Sequence, residues 1–307
     1  MTSAVARRTE GDFRPRRLRR KIFGAVFGLT CFIATSIGVV VLLIMIRSIV
    51  VQLSDVPILE FLYKLTHRFG SIDPERSGYK AGIWGTVWLL TLVIFLAIPV
   101  GVGAAVFLEE YPVPNRLRRF IQTNIANLAG VPSIVYGILG LALFARAFGF
   151  KRLALGPTLW TGSLTLGLLV LPVIVITTQE ALRTVPASLR QGALALGASR
   201  WQVIRDHVLP CALPGIMTGT ILAISRAIGE TAPLLMVGAA ASIPLVPRSP
   251  FDRYSALPVE IYHYAKEADP GFKPVASGGI LILLAILFLM NSAAIVLRNR
   301  RGASSRS

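Results

Sequence analysis

Polar and apolar positions fall in blocks along this chain, too long for strands and too uniform for the one-sided helices of a soluble core. Six runs, at 22–46, 81–108, 120–145, 153–178, 211–241 and 274–297, each exceed the roughly 20 residues that a helix needs to cross a bilayer. Only the fifth run contains charge. The pattern predicts an all-α polytopic membrane protein with six transmembrane helices. The first run is too long for the apolar part of a cleaved signal peptide and lacks a clear small-residue cleavage site, so it reads as an uncleaved helix. The blocks divide the chain into a basic tail at 1–21, a first helix with its polar connection at 22–80, a membrane core at 81–297 and a second basic tail at 298–307.

One polar connection stands out. Residues 179–210 read QEALRTVPASLRQGALALGASRWQVIRDHVLP. Pro186 ends the preceding helix and suits the start of another. Residues 187–196 favour helix, and Gly197 suits the left-handed position that terminates one. Ser199 and Gln202 form an S-x-x-Q capping box for a second helix, expected to stop before Pro210. Leu189, Ala193, Leu194 and Leu196 give the first helix apolar surface. Two readings follow: an ordinary loop between spans, or an element that docks on another protein.

Composition agrees with a membrane protein: 54% of the 307 residues are hydrophobic and only 15% are charged, with a mean hydropathy of +0.66. The net charge of +17 would suggest nucleic-acid binding in a soluble chain. Here it follows topology. Both tails, the 109–119 loop and the 179–210 loop carry 19 Lys or Arg, against 12 in the other three connections. The positive-inside rule then puts both termini and the 179–210 loop in the cytoplasm. Cys31 and Cys211 do not make a disulfide framework, and His263 alone is no metal site. The chain lacks a Walker A phosphate loop and the H-E-x-x-H, C-x-x-C and G-x-S-x-G patterns, so it carries no hydrolytic motif of its own.

Arg226 and Glu230 are the charges of the fifth run, four residues apart and so on one helix face. Charges at that depth cost a few kcal/mol each and turn toward a cavity or a partner. They form either a structural ion pair or an anion site, in which the planar guanidinium binds oxyanion oxygens and Glu230 holds it when no anion is present. Thr231 adds a hydroxyl, and Pro233 is expected to kink the helix by freeing the Gly229 carbonyl. Gly215, Gly219, Ala223 and Ala227 make a small-residue ridge for close packing. In the third run, Gly130-Val-Pro132-Ser133-Ile-Val-Tyr136-Gly137 is either a packing kink at Pro132 or a polar route lined by Ser133 and Tyr136. Asn124, Asn127 and Asn291 suit hydrogen bonds between helices. Tyr254, Tyr262, His263 and Tyr264 suit an interfacial aromatic belt or an external protein contact.

These motifs carry a resemblance. Ala193, Gly197, Leu209 and Pro210 match the E-A-A-x3-G-x9-I-x-L-P loop of ABC importer permeases, although Gln191, Gly192 and His207 replace its Glu, Ala and Ile. A-G-V-P-S-I-V-Y-G at 129–137, S-R-A-I-G-E-T-A-P-L-L at 225–235, A-L-P-V-E-I-Y at 256–262 and N-S-A-A-I-V-L-R-N-R at 291–300 resemble the phosphate importer permeases of the PstA type. The resemblance implies a type I, MetI-like permease fold in the cytoplasmic membrane. It also implies that 179–210 is the ATPase-coupling loop. The implied partners are a second permease (PstC type), two ATPase subunits (PstB type) that hydrolyse the ATP, and an extracytoplasmic phosphate-binding protein (PstS type). No cofactor, metal or nucleic acid is implied for the chain itself. Molybdate or sulfate is the alternative substrate. An ion-coupled secondary transporter would call for paired repeats and broken helices in both halves, which the sequence does not display.

The topology has a direct check. An impermeant thiol reagent applied to intact cells should label single cysteines placed in 250–270 and miss those placed in 1–20; labelling of the N-terminal set overturns the orientation.

Overall fold

A computed structural model describes residues 17–54, 57–112, 114–150, 153–240 and 243–304. Most of the basic tail at 1–21 therefore lies outside the described residues. The chain divides into two units, Met1–Gln52 and Leu53–Ser307. The first holds α1 (Arg17–Gln52), whose apolar side chains are exposed almost all round, as suits a helix surrounded by hydrocarbon.

The second unit begins with α2 (Ile58–His67), followed by α3 (Lys80–Glu110), α4 (Asn115–Ala129), α5 (Ser133–Gly140) and α6 (Leu159–Arg183). The coupling segment contributes α7 (Ala187–Ala195) and α8 (Arg200–Gln202), which passes through a π-helical stretch, Val203–Val208, into α9 (Leu209–Gly229). Then come α10 (Ala232–Met236), α11 (Leu257–Lys266) and α12 (Phe272–Ser304). No strand occurs among the described residues. Five helices are long and apolar enough to cross a membrane, or six if the bent pair α4–α5 is one span.

Four boundaries differ from the sequence reading. The third run is not one helix: it breaks at Gly130–Pro132 and bends there by 104°. The fifth run breaks at Glu230–Thr231, where α9 ends and the short α10 begins. Helix breaks, which the hydropathy pattern concealed, are thus present in two spans. The second helix of the coupling segment does not stop at Pro210; Arg200–Gly229 is one helical run. A π turn widens the helix just before Pro210, where a regular turn would press the ring on the carbonyl four residues back. The tail at 298–307 starts as the last turns of α12.

α6 is the central helix. Two of its buried hydroxyls are satisfied along the helix: Ser163 and Thr165 donate to the carbonyls of Leu159 and Thr161 at 2.7 Å. Small residues set how close its neighbours come. A Cβ on Gly215 would lie 2.7 Å from that of Ala181, and one on Gly219 would collide with Thr177. The predicted Gly215–Ala227 ridge is therefore the seam between α9 and α6.

At the far end from the coupling segment, α11 packs across the starts of α3 and α12. The Leu257 amide donates to Thr86 Oγ1 at 2.9 Å, and the Tyr79 hydroxyl to the Val275 carbonyl at 3.0 Å. Tyr254 and Tyr264 are buried here, and Tyr264 stacks on Phe272, so they are core residues rather than an exposed belt. Glu260 is fully buried beneath them, facing Gly82, and neither carboxyl oxygen closes a hydrogen bond. Burial pushes its carboxyl up to about 8. The folded state therefore holds a proton that the unfolded chain, titrating near 4.5, has released. Stability falls as pH rises between those values and is level above them. From about pH 6 to about pH 9 the detergent-solubilised protein should lose about 3 kcal/mol through this group. Glu260→Gln should flatten the dependence; an equal loss of melting temperature in both proteins would place its source elsewhere.

Candidate translocation site and coupling loop

The antiparallel register of α9 on α6 sets the depth of Arg226. Gly215 opposite Ala181 and Gly219 opposite Thr177 place Arg226 at the level of Val170, near the middle of the Leu159–Arg183 helix. Arg226 lies in the last turn of α9, where the helix dipole favours a cation. Its Nε donates to Glu230 Oε1 at 3.2 Å, and among the described residues its Nη groups bond to no protein atom. The Arg226 side chain is 44% exposed and that of Glu230 15%. The guanidinium thus has one edge on its carboxylate and another free, as a site for a transient oxyanion requires.

The break beside this pair is built by Glu230, in extended conformation with its amide on the Ala227 carbonyl. Thr231 is half-buried at the start of α10. Pro233 occupies the first turn of α10, where its missing N–H goes unmissed. It follows a complete break, so the expected kink within one helix does not describe it.

Tertiary packing brings the other motif to this place. A Cβ on Gly137 would lie 2.7 Å from Pro233 Cα and 2.9 Å from Met236 Cβ, so α5 sits directly on α10. Tyr136, on the same turn, is buried within electrostatic reach of Arg226. Its hydroxyl donates to the Leu128 carbonyl at 2.8 Å across the bend in the third run, where that carbonyl also accepts the Val131 amide at 3.0 Å, so Tyr136 ties α5 to the end of α4. Pro132 caps α5 with φ −55° and ψ 138°, and Ser133 follows half-exposed. Asn291 does join two helices, accepting from Ser225 Oγ at 2.5 Å, whereas Asn124 bonds to Phe120 within its own helix.

The coupling segment is rigid by local rules. Gly197 takes φ +85°, which a side chain resists, and its amide and that of Ala198 close on the Leu194 and Ala193 carbonyls. The Ser199–Gln202 capping box is reciprocal, at 3.4 and 2.7 Å. Leu189, Leu194, Leu196 and Trp201 are exposed, as are Gln191 and Gly192. Ala193 is not part of that outward surface; it is buried against Val203, Ile204 and Val208. Leu209 is partly buried and Pro210 exposed.

The sequence reading missed what anchors this segment. Glu109 and Glu110, at the end of α3, have side chains only 8% exposed. Glu109 binds Arg118 at 2.6 Å and Arg183 at 2.5 Å. Glu110 binds Arg190 at 2.7 Å, and Arg190 also donates to the Val185 and Leu182 carbonyls. The available signal was two adjacent acids within the more basic set of loops.

A bundle of apolar spans, with an oxyanion-sized cationic fork at mid-membrane and a braced helical loop at one end, defines the membrane-embedded subunit of a transporter. The chain belongs to the family of binding-protein-dependent transport system inner membrane components, whose model matches residues 97–303. It is 31% identical to the probable ABC transporter permease protein YqgI of Bacillus subtilis (strain 168), over 91% of this chain and 95% of that one. It is 35% identical to the phosphate transport system permease protein PstA of Mycobacterium leprae (strain TN), over 95% of each chain. In fold it is similar to a bacterial alginate ABC transporter solved with an alginate pentasaccharide-bound periplasmic protein. There the TM-score is 0.66 at 14% identity, covering 92% of this chain and 96% of that one.

The brace makes a prediction about the loop. Half-buried hydrogen bonds to charged groups contribute about 1.5–3 kcal/mol. Glu110→Gln should therefore speed amide exchange over 187–197 about tenfold or more while leaving membrane abundance near normal. Unchanged exchange there would show that α7 is held by packing alone.

Proposed function

We propose that this chain is a permease subunit of an ATP-driven importer that carries inorganic phosphate across the cytoplasmic membrane. The observation that carries the reading is the free fork of Arg226 at mid-membrane, beside a helix break, in a chain 35% identical to a phosphate transport permease. The partners are a second, similar permease, two ATPase subunits, one of which receives the exposed Leu189, Leu194, Leu196 and Trp201, and an extracytoplasmic phosphate-binding protein. The ATP is hydrolysed by the ATPase subunits, and this chain supplies no cofactor. Both termini and the coupling loop face the cytoplasm.

The geometry supports a mechanical link. Arg200–Gly229 is one helical run of 30 residues, about 45 Å long at 1.5 Å per residue. It starts at the coupling loop and carries Arg226 in its last turn, so movement of the ATPases is transmitted to the anion site along one helical run. Glu230 holds Arg226 between cycles and lowers its net attraction, so the anion can leave.

Phosphate uptake in cells with the chain deleted and restored tests the reading. Arg226→Gln should abolish uptake while membrane abundance stays near normal. Arg226→Lys should be partly active at best, since it keeps the charge and loses the fork. Full uptake by Arg226→Gln would eliminate the anion site. Failure of both Arg226→Gln and Glu230→Gln to accumulate, with rescue by the charge-swapped double variant, would make the pair structural.

A further inference from the structure

On the membrane face opposite the coupling loop lies a second cationic place. The segment 243–253 folds over the outer ends of α6 and α10. It is tied down by the Leu159 amide on the Asp252 carbonyl at 3.1 Å, the Trp160 amide on the Pro250 carbonyl at 2.9 Å and the Ala240 amide on the Tyr254 carbonyl at 3.0 Å. Pro244, Pro247 and Pro250 restrict its backbone further. Beneath it, against Phe69 and the start of α3, is a cavity of about 980 Å³. Lys80, Arg248 and Arg253 all line it, so three cations from two distant parts of the chain share one concave wall.

The acid within this wall is already engaged. One oxygen of Asp252 accepts from the amides of Arg248 and Ser249, both at 2.8 Å, and these bonds hold its carboxyl below the usual carboxylate range. Among the described residues, Lys80, Arg248 and Arg253 form no ion pair. The Lys80 ammonium lies 5.1 Å from the centre of the Phe69 ring, a contact that positions it and leaves its N–H donors free. Against the one ionised carboxylate of Asp252, the three cations leave the wall with a net positive charge, which concentrates anions and steers them inward. Ala240, on the cavity wall, is ten residues beyond Glu230 along the chain that leaves the mid-membrane break.

We propose that this cavity is an outer receiving site for a phosphate-class oxyanion, held by Lys80, Arg248 and Arg253 before it reaches Arg226. The inference rests on the importer reading above. The wall is open and part apolar, so the anion is held loosely enough to move on.

The test is protection of Lys80 in the complete transporter reconstituted in liposomes. A water-soluble N-hydroxysuccinimide ester acylates exposed amines, and mass spectrometry reads Lys80 with Lys266 as reference. Inorganic phosphate at about twice its Kd should slow Lys80 acylation about threefold relative to chloride of equal ionic strength, and leave Lys266 unchanged. The double variant R248Q/R253Q should lose the protection, and R253K should keep most of it. Equal acylation of Lys80 in phosphate and chloride overturns the site, as does protection that survives in the double variant. A double variant that only raises the concentration of binding protein needed for transport, with no phosphate protection in wild type, makes the wall a protein contact and also overturns it. The importer reading fails separately, if restored cells take up no phosphate.

Discussion

Hydrocarbon offers no hydrogen bonds, so any interruption of a spanning helix must find its partners within the protein. This chain interrupts two spans, at Gly130–Pro132 and at Glu230–Thr231, and packs the interruptions together. Gly137 lets α5 touch Pro233 of α10, and Tyr136 reaches back to the Leu128 carbonyl at the first break. Glu230, extended at the second break, is thereby free to face Arg226 rather than continue a helix. The site exists because irregular backbone is confined to one packed place in the bundle.

The rest of the molecule positions that place and connects it. α6 is the fixed reference, with α9 seated against it on glycine and alanine. The coupling segment is secured at two levels: Glu109 and Glu110 hold α6 and α7 through Arg183 and Arg190, and Ala193 buries the inner face of α7 on the π turn. What remains outward is a small apolar surface at the end of a continuous helix that reaches Arg226. Both carboxylates are nearly buried, so removing an arginine partner would leave a charge with little room to reach water, and the brace matters more to the loop than exposed surface ion pairs do.

Charge is distributed with the same economy. Asp252 stays ionised with one oxygen bonded to backbone amides, whereas Glu260 is kept neutral by burial, which removes one negative charge from the face opposite the coupling loop. The cations that line open space on this side, Lys80, Arg248 and Arg253, lack carboxylate partners among the described residues, whereas those near the coupling loop, Arg118, Arg183 and Arg190, are paired.

By itself the sequence determined what depends on neighbours along the chain. Hydropathy defined the spans, because solvation of roughly 20 consecutive side chains is a sum over adjacent residues. Gly197 and the Ser199–Gln202 pair foretold the turn and cap, since both are closed within a few residues. Arg226 and Glu230 were conspicuous as the charges of one apolar run. Only the tertiary structure decided the rest. Pro132 and Pro233 marked irregular backbone in the sequence, but hydropathy is blind to a complete break whose flanks are equally apolar, and the packing of one break on the other through Gly137 and Pro233 joins residues nearly a hundred apart. Likewise Glu110 and Arg190 meet across eighty residues, and Lys80 joins Arg248 and Arg253 only because the chain folds back over the start of α3. Such pairings require the packed bundle, because no local rule brings residues that far apart together.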